Sequence, residues 1–462
     1  MSSGASGRRT AGAALAALVA LVSGLAWPAG ESRPDRRPNV IVVLTDDQRW
    51  DGFGAMPWLT TELARADSGW MTFPNAFANT PLCCPARASL LTGRYARHTG
   101  VLDNDDGGNL DESSTLATWL HGAGYRTGLV GKYLNRYPFG RLPYVPPGWD
   151  RFVAKRNQSG VTVYRDFHAV DQGSPVFVQE YATDWLGEKA VEFVRTTPST
   201  RPFFLLFGPS APHPPWIPAA RHEGTYADLS VDEPPNVAGT LRGAPPWVRS
   251  RPEPSAAQRA AWLADQRRAD ETLLAVDEAL HAIVETLAER LDDTYIFVLS
   301  DNGYSFGEHR WEGKKCPYDA CVRIPLAVHS PGGEGGERPP VVSIVDLAPT
   351  IMSFAGVSSP AAFDGQPFAA WIEPRTSSLL GPRNQVVSLE WVGDAEIPAW
   401  TAVRTAGFKL IRYGDGLEEL YDIGGRIGEP DPWEMVNRVA DPRYTEILAR
   451  LRRLLGQQPG PG

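Results

Sequence analysis

The sequence has few cysteines and little clustered positive charge. Its 462 residues contain four cysteines, Cys83, Cys84, Cys316 and Cys321. Two adjacent cysteines and a pair five positions apart are not the framework of a disulfide-stapled small domain. No pair has C-x-x-C spacing, so a structural zinc site is not indicated either. A local disulfide between the last two cysteines stays open. The formal net charge is -9 and no dense Lys/Arg run follows the N-terminus, which argues against nucleic acid as a partner.

Long apolar runs are absent beyond the N-terminus. There, Arg8 and Arg9 precede the apolar stretch Ala11 to Ala26, which is shorter than the roughly 20 residues needed to span a bilayer. This pattern is typical of a secretory signal peptide. We predict a signal peptide over residues 1–30, a linker over residues 31–37, secretion, and no stable membrane insertion after cleavage. An uncleaved membrane anchor is the alternative.

The remaining chain alternates between strand-like and helix-like segments. Short continuous apolar runs are typical of strands buried on both faces of a mostly parallel sheet. They occur at Asn39–Leu44, Thr127–Val130, Phe203–Phe207, Thr294–Leu299 and Leu326–Val328. Helical periodicity lies between them, at Ser114–Ala123, Thr183–Arg195 and Ala256–Arg290. The alternation predicts an α/β doubly wound domain over residues 38–367.

The pattern changes near the C-terminus. Short alternating runs separated by Gly- and Asp-containing turns predict a small antiparallel sheet. The last segment, Tyr444 to Leu455, is amphipathic and should pack as a helix on that sheet. We therefore predict a small C-terminal subdomain over residues 368–462. The predicted strands are Val386–Glu390, Trp400–Arg404, Phe408–Tyr413 and Glu419–Tyr421.

Acidic residues follow two of the predicted core strands. Asp46 and Asp47 follow the first, and Asp301 and Asn302 follow the strand at Thr294–Leu299. Ligands bind at the carboxyl ends of strands in open α/β sheets. An all-oxygen set suits Ca²⁺, and less well Mg²⁺. Either cluster alone would be read as turn and helix-cap residues, but the two together favour a metal site.

The segment from Cys83 to Arg94 carries the most specific motif. It reads C-C-P-A-R-A-S-L-L-T-G-R and resembles the maturation signature of the sulfatase family, C-x-P-x-R followed by T-G-R. In this register Cys83 is the modified residue. The family usually has Ser where this chain has Ala86, a position that the minimal signature leaves free. Two buried structural cysteines before a helix are the alternative interpretation.

The resemblance extends roughly from Pro38 to Leu455. Residues 131–135 (G-K-Y-L-N) and 145–149 (V-P-P-G-W) resemble the N-acetylglucosamine-6-sulfatase and extracellular endosulfatase branch. Leu134 stands where many other sulfatases have His. Further familial segments are A-P-H-P at 211–214, S-D-N-G-Y at 300–304 and the lysine preceding Y-D at 318–319. The resemblance implies an alkaline-phosphatase-like fold, a large mostly parallel sheet between helices, with residues 38–367 as catalytic domain.

The resemblance also implies a set of site residues. Cys83 would be converted to formylglycine (3-oxoalanine) by a formylglycine-generating enzyme, and its hydrate would attack the sulfur of a sulfate ester. Ca²⁺ would act as a Lewis acid. Its expected ligands are Asp46, Asp47, residue 83, Asp301 and Asn302.

Basic residues would complete that site. Arg87 would pair with residue 83 or with metal-bound carboxylates, since its charge is permanent. Lys132 and Lys314 would hold the sulfate oxygens, and His213 would protonate the leaving alcohol. His98 would lie near the substrate. His309 is also expected near the pocket, without an assigned role.

Three functions fit these features. The first is hydrolysis of sulfate monoesters, with 6-O-sulfated N-acetylglucosamine units of heparan-type glycans or aryl sulfates as substrates. The second is hydrolysis of phosphodiesters or phosphonate esters with the same formylglycine. The third is a catalytically silent protein that binds sulfated glycans. The chain retains every charged residue that the resemblance assigns to the pocket, and this favours an enzyme over the third function.

Overall fold

A single large sheet forms the centre of the molecule. The computed structural model describes residues 37–156, 162–229, 232–373 and 386–457. The predicted signal peptide and most of the linker lie outside these residues. In this part of the chain, no helix is both long and apolar enough to cross a bilayer.

The large sheet has ten strands, and five neighbouring strands at its centre run parallel. These five are apolar and buried, because helices cover both faces of the sheet. Across the sheet, the order is Gly336–Glu337, Trp70–Thr72, Leu326–His329, Thr294–Ser300, Asn39–Thr45, Phe203–Gly208, Arg126–Gly131, Arg151–Lys155, Phe167–Asp171 and Ser174–Val178.

Helices pack on the two faces of this sheet, and an apolar cluster lies against each face. The longest, Ala256–Leu287, begins at a Ser255 side chain that caps its first turn, as helix N-termini require. Helices of seven or more residues are Pro57–Ala64, Cys83–Thr92, Leu116–Gly122, Ala182–Thr196, Ala256–Leu287, Leu347–Ala355 and Thr445–Gly456. Four-residue helices lie at Ala96–Thr99, Pro235–Ala238, Pro246–Arg249, Asp319–Val322 and Ala369–Ile372.

The predicted α/β architecture is confirmed. Each predicted core strand and helix is present, with ends shifted by a few residues. The long predicted helix ends at Leu287 and continues to Asp293 as a 3₁₀ segment. The sequence did not predict the edge strands, such as Ser174–Val178. Most residues of that strand are exposed, so it lacks the continuous apolar run of a buried strand.

The predicted C-terminal sheet is also present. Its four antiparallel strands follow chain order, and the helix Thr445–Gly456 packs its buried leucines on one face. The other face shares one apolar cluster with Phe77, Trp311 and Tyr318 of the preceding chain. The boundary at residues 367/368 stays a prediction. The strands are Val386–Trp391, Trp400–Thr405, Lys409–Tyr413 and Glu418–Tyr421.

Buried charges connect this sheet to the large domain. The Lys409 ammonium lies 2.9 Å from Asp319 and 2.7 Å from Glu434, and Arg404 lies 3.0 Å from Asp319. Lys409 has no solvent exposure. The carboxylate oxygens of Asp319 therefore face two cations at the base of the loop that carries Lys314 and Lys315.

Removing one member of this cluster should be costly. Lys409→Met would leave two carboxylates buried without their ammonium, and we expect a loss of about 3–5 kcal/mol in the free energy of unfolding. Urea titration followed by circular dichroism measures it. Lys315→Met is the matched control, since its pair with Asp394 is partly exposed and should contribute no more than about 1 kcal/mol. Equal losses in the two variants would contradict this account.

Candidate active site

Four neighbouring parallel strands carry charged residues to one edge of the sheet. Asp46 and Asp47 follow Asn39–Thr45, and Asp301 follows Thr294–Ser300, with Thr45 paired to Ser300. Lys132 follows Arg126–Gly131, and His213 comes five residues after Phe203–Gly208. Since carboxyl ends of parallel strands meet at one edge, the fold itself brings these residues together.

Local backbone conformation allows the strand ends to approach closely. Gly131 has φ 124°, and a Cβ there would lie 2.0 Å from the carbonyl oxygen of Gly208. Only glycine fits that position. Asp47 has φ 69°, an unusual conformation for a residue with a side chain. Its backbone N–H donates to the Asp301 carboxylate at 3.2 Å, which helps to hold that conformation.

Cys83 lies at the start of the helix Cys83–Thr92 and is fully buried. Its Sγ is 2.8 Å from the Lys314 Nζ and 3.6 Å from Asp47 Oδ1. Arg87 is one helical turn further along, so both side chains lie on the same helix face. Cys84 is buried beside Cys83 and is also a free thiol.

The buried charges of the site form three close pairs. Arg87 Nε is 2.7 Å from Asp301 Oδ2, Lys132 Nζ is 2.7 Å from Asp46 Oδ2, and Lys314 Nζ is 2.6 Å from Asp47 Oδ1. A second nitrogen of Arg87 donates to the Lys132 carbonyl at 2.8 Å. With charges balanced in this way, a bound divalent cation would make the site net positive, which suits an anionic ester.

Burial and neighbouring charges shift the pKa values of these groups. Burial alone would raise the pKa of Asp47, but Lys314 and His213 hold it below its usual value. Burial likewise opposes ionisation of Asp46, and Lys132 holds that pKa low. For Cys83, burial raises the pKa well above the ordinary thiol value despite both lysines. The unmodified thiol is therefore protonated at neutral pH and is a poor nucleophile.

The oxygens of the site fit a divalent cation. Asp46 Oδ1, Asp47 Oδ2 and Asn302 Oδ1 are buried and have no hydrogen-bond partner among the described residues. Such orphaned acceptors are rare in protein interiors unless an ion or water satisfies them. Four side chains each offer one potential ligand atom, and these atoms all lie within 4.8 Å of one another. They belong to Asp46, Asp47, Cys83 and His213. Carboxylate and amide oxygens are the ligands that Ca²⁺ prefers.

Asp301 differs from the other predicted ligands. Its two oxygens accept from the Asp47 N–H and from Arg87, and it is not part of the group of possible ligands defined above. The structure instead adds His213 to that group. Asp301 as a metal ligand remains a prediction, whereas its contacts show it holding Asp47 and Arg87 in place.

His213 faces the site through one ring nitrogen. Its Nδ1 lies 2.7 Å from the Pro214 carbonyl oxygen, which can only accept, so Nδ1 carries a proton. Nε2 is 3.7 Å from Asp47 Oδ2. Burial lowers the pKa of His213 below its usual value, although Asp46 and Asp47 favour the charged form. A proton on Nε2 would therefore be released readily to a leaving group.

A cleft of about 780 Å³ opens above these residues. Asp47, His213 and Lys314 are among its lining residues, together with further aromatic and charged side chains. Sequence analysis assigned no role to these other residues, because the local sequence does not show which side chains of the helix Ala256–Leu287, of the segment after Asn302 and of the neighbouring loops reach the cleft. They include Arg251, Trp262, Tyr304, Arg310, Trp311, Glu312 and Glu396.

Two predicted histidines lie elsewhere. The His98 Nδ1 is 2.7 Å from the Asp364 carboxylate, and His98 is not among the residues that line the cleft. The structure therefore does not support the predicted contact between His98 and the substrate. His309 is buried, stacks on Tyr318 at 3.5 Å and contacts the Glu434 carbonyl oxygen. It supports the loop behind the cleft rather than lining it.

The last two cysteines form the local disulfide that the sequence left open. Cys316 and Cys321 are joined, with Cα atoms 5.6 Å apart. The bridge encloses Tyr318 and Asp319, directly after Lys314 and Lys315. It therefore closes a short loop that begins two residues after the predicted catalytic lysine.

Comparisons with known proteins agree with the motif and the geometry. The sulfatase family model matches residues 38–357, well over half of the chain. This chain belongs to the sulfatase family. The family's members hydrolyse sulfuric esters. A second model, the C-terminal region of N-sulphoglucosamine sulphohydrolase, matches residues 307–459.

Two relatives illustrate the similarity. N-acetylglucosamine-6-sulfatase from Capra hircus is 32% identical over 389 residues, covering 79% of this sulfatase and 68% of the goat protein. The extracellular sulfatase SULF-1 homolog from Drosophila melanogaster is 30% identical over 378 residues, covering 78% of this chain. The aligned part spans only 33% of the fly protein.

Solved structures share the fold. One is a protein in complex with its substrate D-glucosamine-2-N,6-O-disulfate, with a TM-score of 0.79 and 25% identity over 91% of this chain and 97% of that chain. Phosphonate monoester hydrolase of Agrobacterium radiobacter has a TM-score of 0.68 and 21% identity over 91% of this chain and 95% of that chain. The second similarity shows the fold alone.

Proposed function

We propose that this sulfatase hydrolyses the 6-O-sulfate ester of N-acetylglucosamine or related glucosamine units in sulfated glycans. The observation that carries the proposal is the position of Cys83, whose Sγ lies 2.8 Å from Lys314 beside the orphaned oxygens of Asp46 and Asp47. The relatives named N-acetylglucosamine-6-sulfatase support N-acetylglucosamine as the sugar.

Two groups outside the encoded sequence complete the proposed chemistry. Formylglycine at residue 83 would supply, in its hydrated form, the hydroxyl that attacks sulfur. Bound Ca²⁺ would supply Lewis-acid stabilisation of charge on the sulfate oxygens. Asp46, Asp47 and Asn302 would hold the cation through the oxygens that lack partners. His213, whose Nε2 faces Asp47, lies close enough to join them or to serve the leaving group.

The lysines have complementary roles. Lys314 contacts both residue 83 and Asp47, so its ammonium lies within reach of a sulfate ester that is attacked at residue 83. Lys132 contacts Asp46 and would neutralise charge on the same sulfate group. Arg87 holds Asp301 and the Lys132 carbonyl, so it positions the basic end of the site. Preorganised charges of this kind stabilise a transition state without moving.

His213 is the proposed proton donor to the leaving alcohol. Its ring lines the cleft, with 17% of the side chain exposed. A general acid must reach both the site and the leaving group, and this residue borders both. The Tyr164 hydroxyl donates to its backbone carbonyl at 2.6 Å, which fixes the loop that carries the ring.

The modification imposes an order of events. Cys83 has no solvent exposure in the folded chain, so a formylglycine-generating enzyme would have to act before folding is complete. The predicted signal peptide fits modification during export, with secretion as the proposed destination.

A panel of matched esters tests the substrate class. Sulfate release from 6-O-sulfated N-acetylglucosamine should exceed hydrolysis of an aryl sulfate and of the corresponding phosphonate and phosphodiester. Faster turnover of the phosphonate or phosphodiester would replace the proposal with the second function. If protein with modified residue 83 binds sulfated glycans but turns over none of the esters, the third function, a catalytically silent binding protein, would be supported.

Replacement of Lys314 tests the proposed charge stabilisation. Lys314→Met should lower kcat/KM about 10²- to 10³-fold, because the site loses a preorganised cation. Steady-state sulfate release measures the effect. Lys315→Met is the neighbouring control, and its effect should be much smaller since its ammonium pairs with Asp394 at 2.7 Å. Similar losses in both variants would argue against a specific role for Lys314.

A further inference from the structure

The cleft carries two guanidinium groups that the proposed chemistry does not use. Arg251 and Arg310 line it together with His213 and Lys314. Both side chains are half-buried. The Nε atom of each is buried without a hydrogen-bond partner among the described residues.

Neighbouring contacts hold both groups in place. The Arg251 guanidinium lies 4.3 Å from the centre of the Trp311 ring, and the Trp311 indole donates to the Lys314 carbonyl at 2.8 Å. Arg310 donates to the Arg251 carbonyl at 3.0 Å. The two arginines are therefore tied to one another and to the backbone of the proposed catalytic lysine.

The carboxylates close to Arg310 in sequence are engaged by other groups. Glu312 accepts from the Trp262 indole at 2.6 Å, and Glu308 pairs with Arg49 at 2.5 Å. Within the described residues, no carboxylate lies within ion-pair distance of Arg251 or Arg310. Exposed Glu253 and Glu396 also border the cleft, and Glu396 attracts Arg251 only from a greater distance.

We infer that Arg251 and Arg310 form a subsite for a second anionic group of the substrate, such as a carboxylate or an N-sulfate, next to the ester that is cleaved. The inference deepens the proposed function and rests on it. Guanidinium groups bind both anions through paired N–H donors. The substrate would then be a polyanionic glycan fragment rather than a neutral sugar or an aryl group carrying one sulfate.

Matched substrates distinguish the sources of the second charge. One pair compares 6-O-sulfated N-acetylglucosamine with 6-O-sulfated N-sulfoglucosamine. The other compares a uronic acid-containing disaccharide of the 6-O-sulfated sugar with its carboxyl-reduced counterpart. With modified residue 83, kcat/KM should be about 10- to 100-fold higher for the anionic member of at least one pair, as charge-assisted hydrogen bonds allow. The pair that responds identifies the group.

Variants test whether the two arginines cause this preference. Arg251→Gln should reduce the anionic-to-neutral ratio about tenfold, mainly through KM, and Glu396→Gln should raise it by removing an opposing charge. Arg249→Gln is the control, because Arg249 is exposed outside the cleft lining. Its ratio should match that of the wild type.

Two results would overturn the inference while leaving the proposed function intact. One is equal turnover of both members in each pair. The other is a ratio that changes equally in Arg251→Gln and Arg249→Gln. Absence of sulfate release from every substrate by fully modified protein would instead overturn the proposed function, and the inference with it.

Discussion

Replacing Cys83 with Ala is expected to reduce kcat by about 10⁴-fold or more, because removing the group that becomes the nucleophile leaves only binding and electrostatic contributions. The charges around residue 83 would remain, so sulfated substrate should still bind. Sulfate release under single-turnover conditions measures the first effect, and equilibrium binding measures the second.

Cys84→Ala is the matched control for that experiment. Cys84 is also a fully buried free cysteine in the same helix, yet the hydrogen bonds to Lys314 and Asp47 are made by Cys83. We expect a modest loss of stability from the missing sulfur and retention of most turnover. Unchanged turnover in Cys83→Ala, or equal loss in both variants, would contradict the assignment of residue 83.

Removing the divalent cation should abolish turnover and also lower the melting temperature. Asp46, Asp47 and Asn302 each present a buried oxygen without a partner, so a bound cation would stabilise the folded chain. At a free concentration of 100 times Kd, the stabilisation would be about 2.7 kcal/mol. Calorimetry after chelation, with Ca²⁺, Mg²⁺ or Zn²⁺ added back, measures the effect and identifies the preferred ion.

The thermal measurement does not depend on catalysis. Asp47→Asn should lose most of the Ca²⁺-dependent shift, whereas Asp228→Asn should keep it, since Asp228 is exposed outside the cleft lining. We expect Ca²⁺ to restore both stability and turnover to the wild type. Indifference of melting temperature and turnover to chelation would exclude the metal site.

Much of the site could be predicted because its residues follow core strands. The strand before Asp46 reads as a continuous apolar run, and the strand before Asp301 does too. Parallel pairing of two such strands forces their ends together. The C-x-P-x-R spacing similarly places Cys83 and Arg87 one turn apart. The helix sets the second distance locally, whereas the first depends on pairing between strands far apart in sequence, which their continuous apolar runs predict.

The residues that sequence analysis missed or misplaced depend on long-range packing. Arg251 reaches the cleft because its guanidinium stacks on Trp311, sixty positions later. His309 lies close in sequence to Lys314, but it stacks on Tyr318 and contacts Glu434 of the C-terminal region. Lys409 can be buried because its ammonium pairs with the carboxylates of Asp319 and Glu434. No periodicity or motif encodes these contacts.

The mass of the tryptic peptide of residues 66–87, taken from catalytically active protein, tests the central claim most directly. Formylglycine formation removes one sulfur and two hydrogens and adds one oxygen, and fragmentation assigns the change to residue 83 or 84. We predict the change at residue 83, with turnover proportional to the modified fraction. Full turnover of sulfate esters by protein whose Cys83 thiol is intact would contradict the claim.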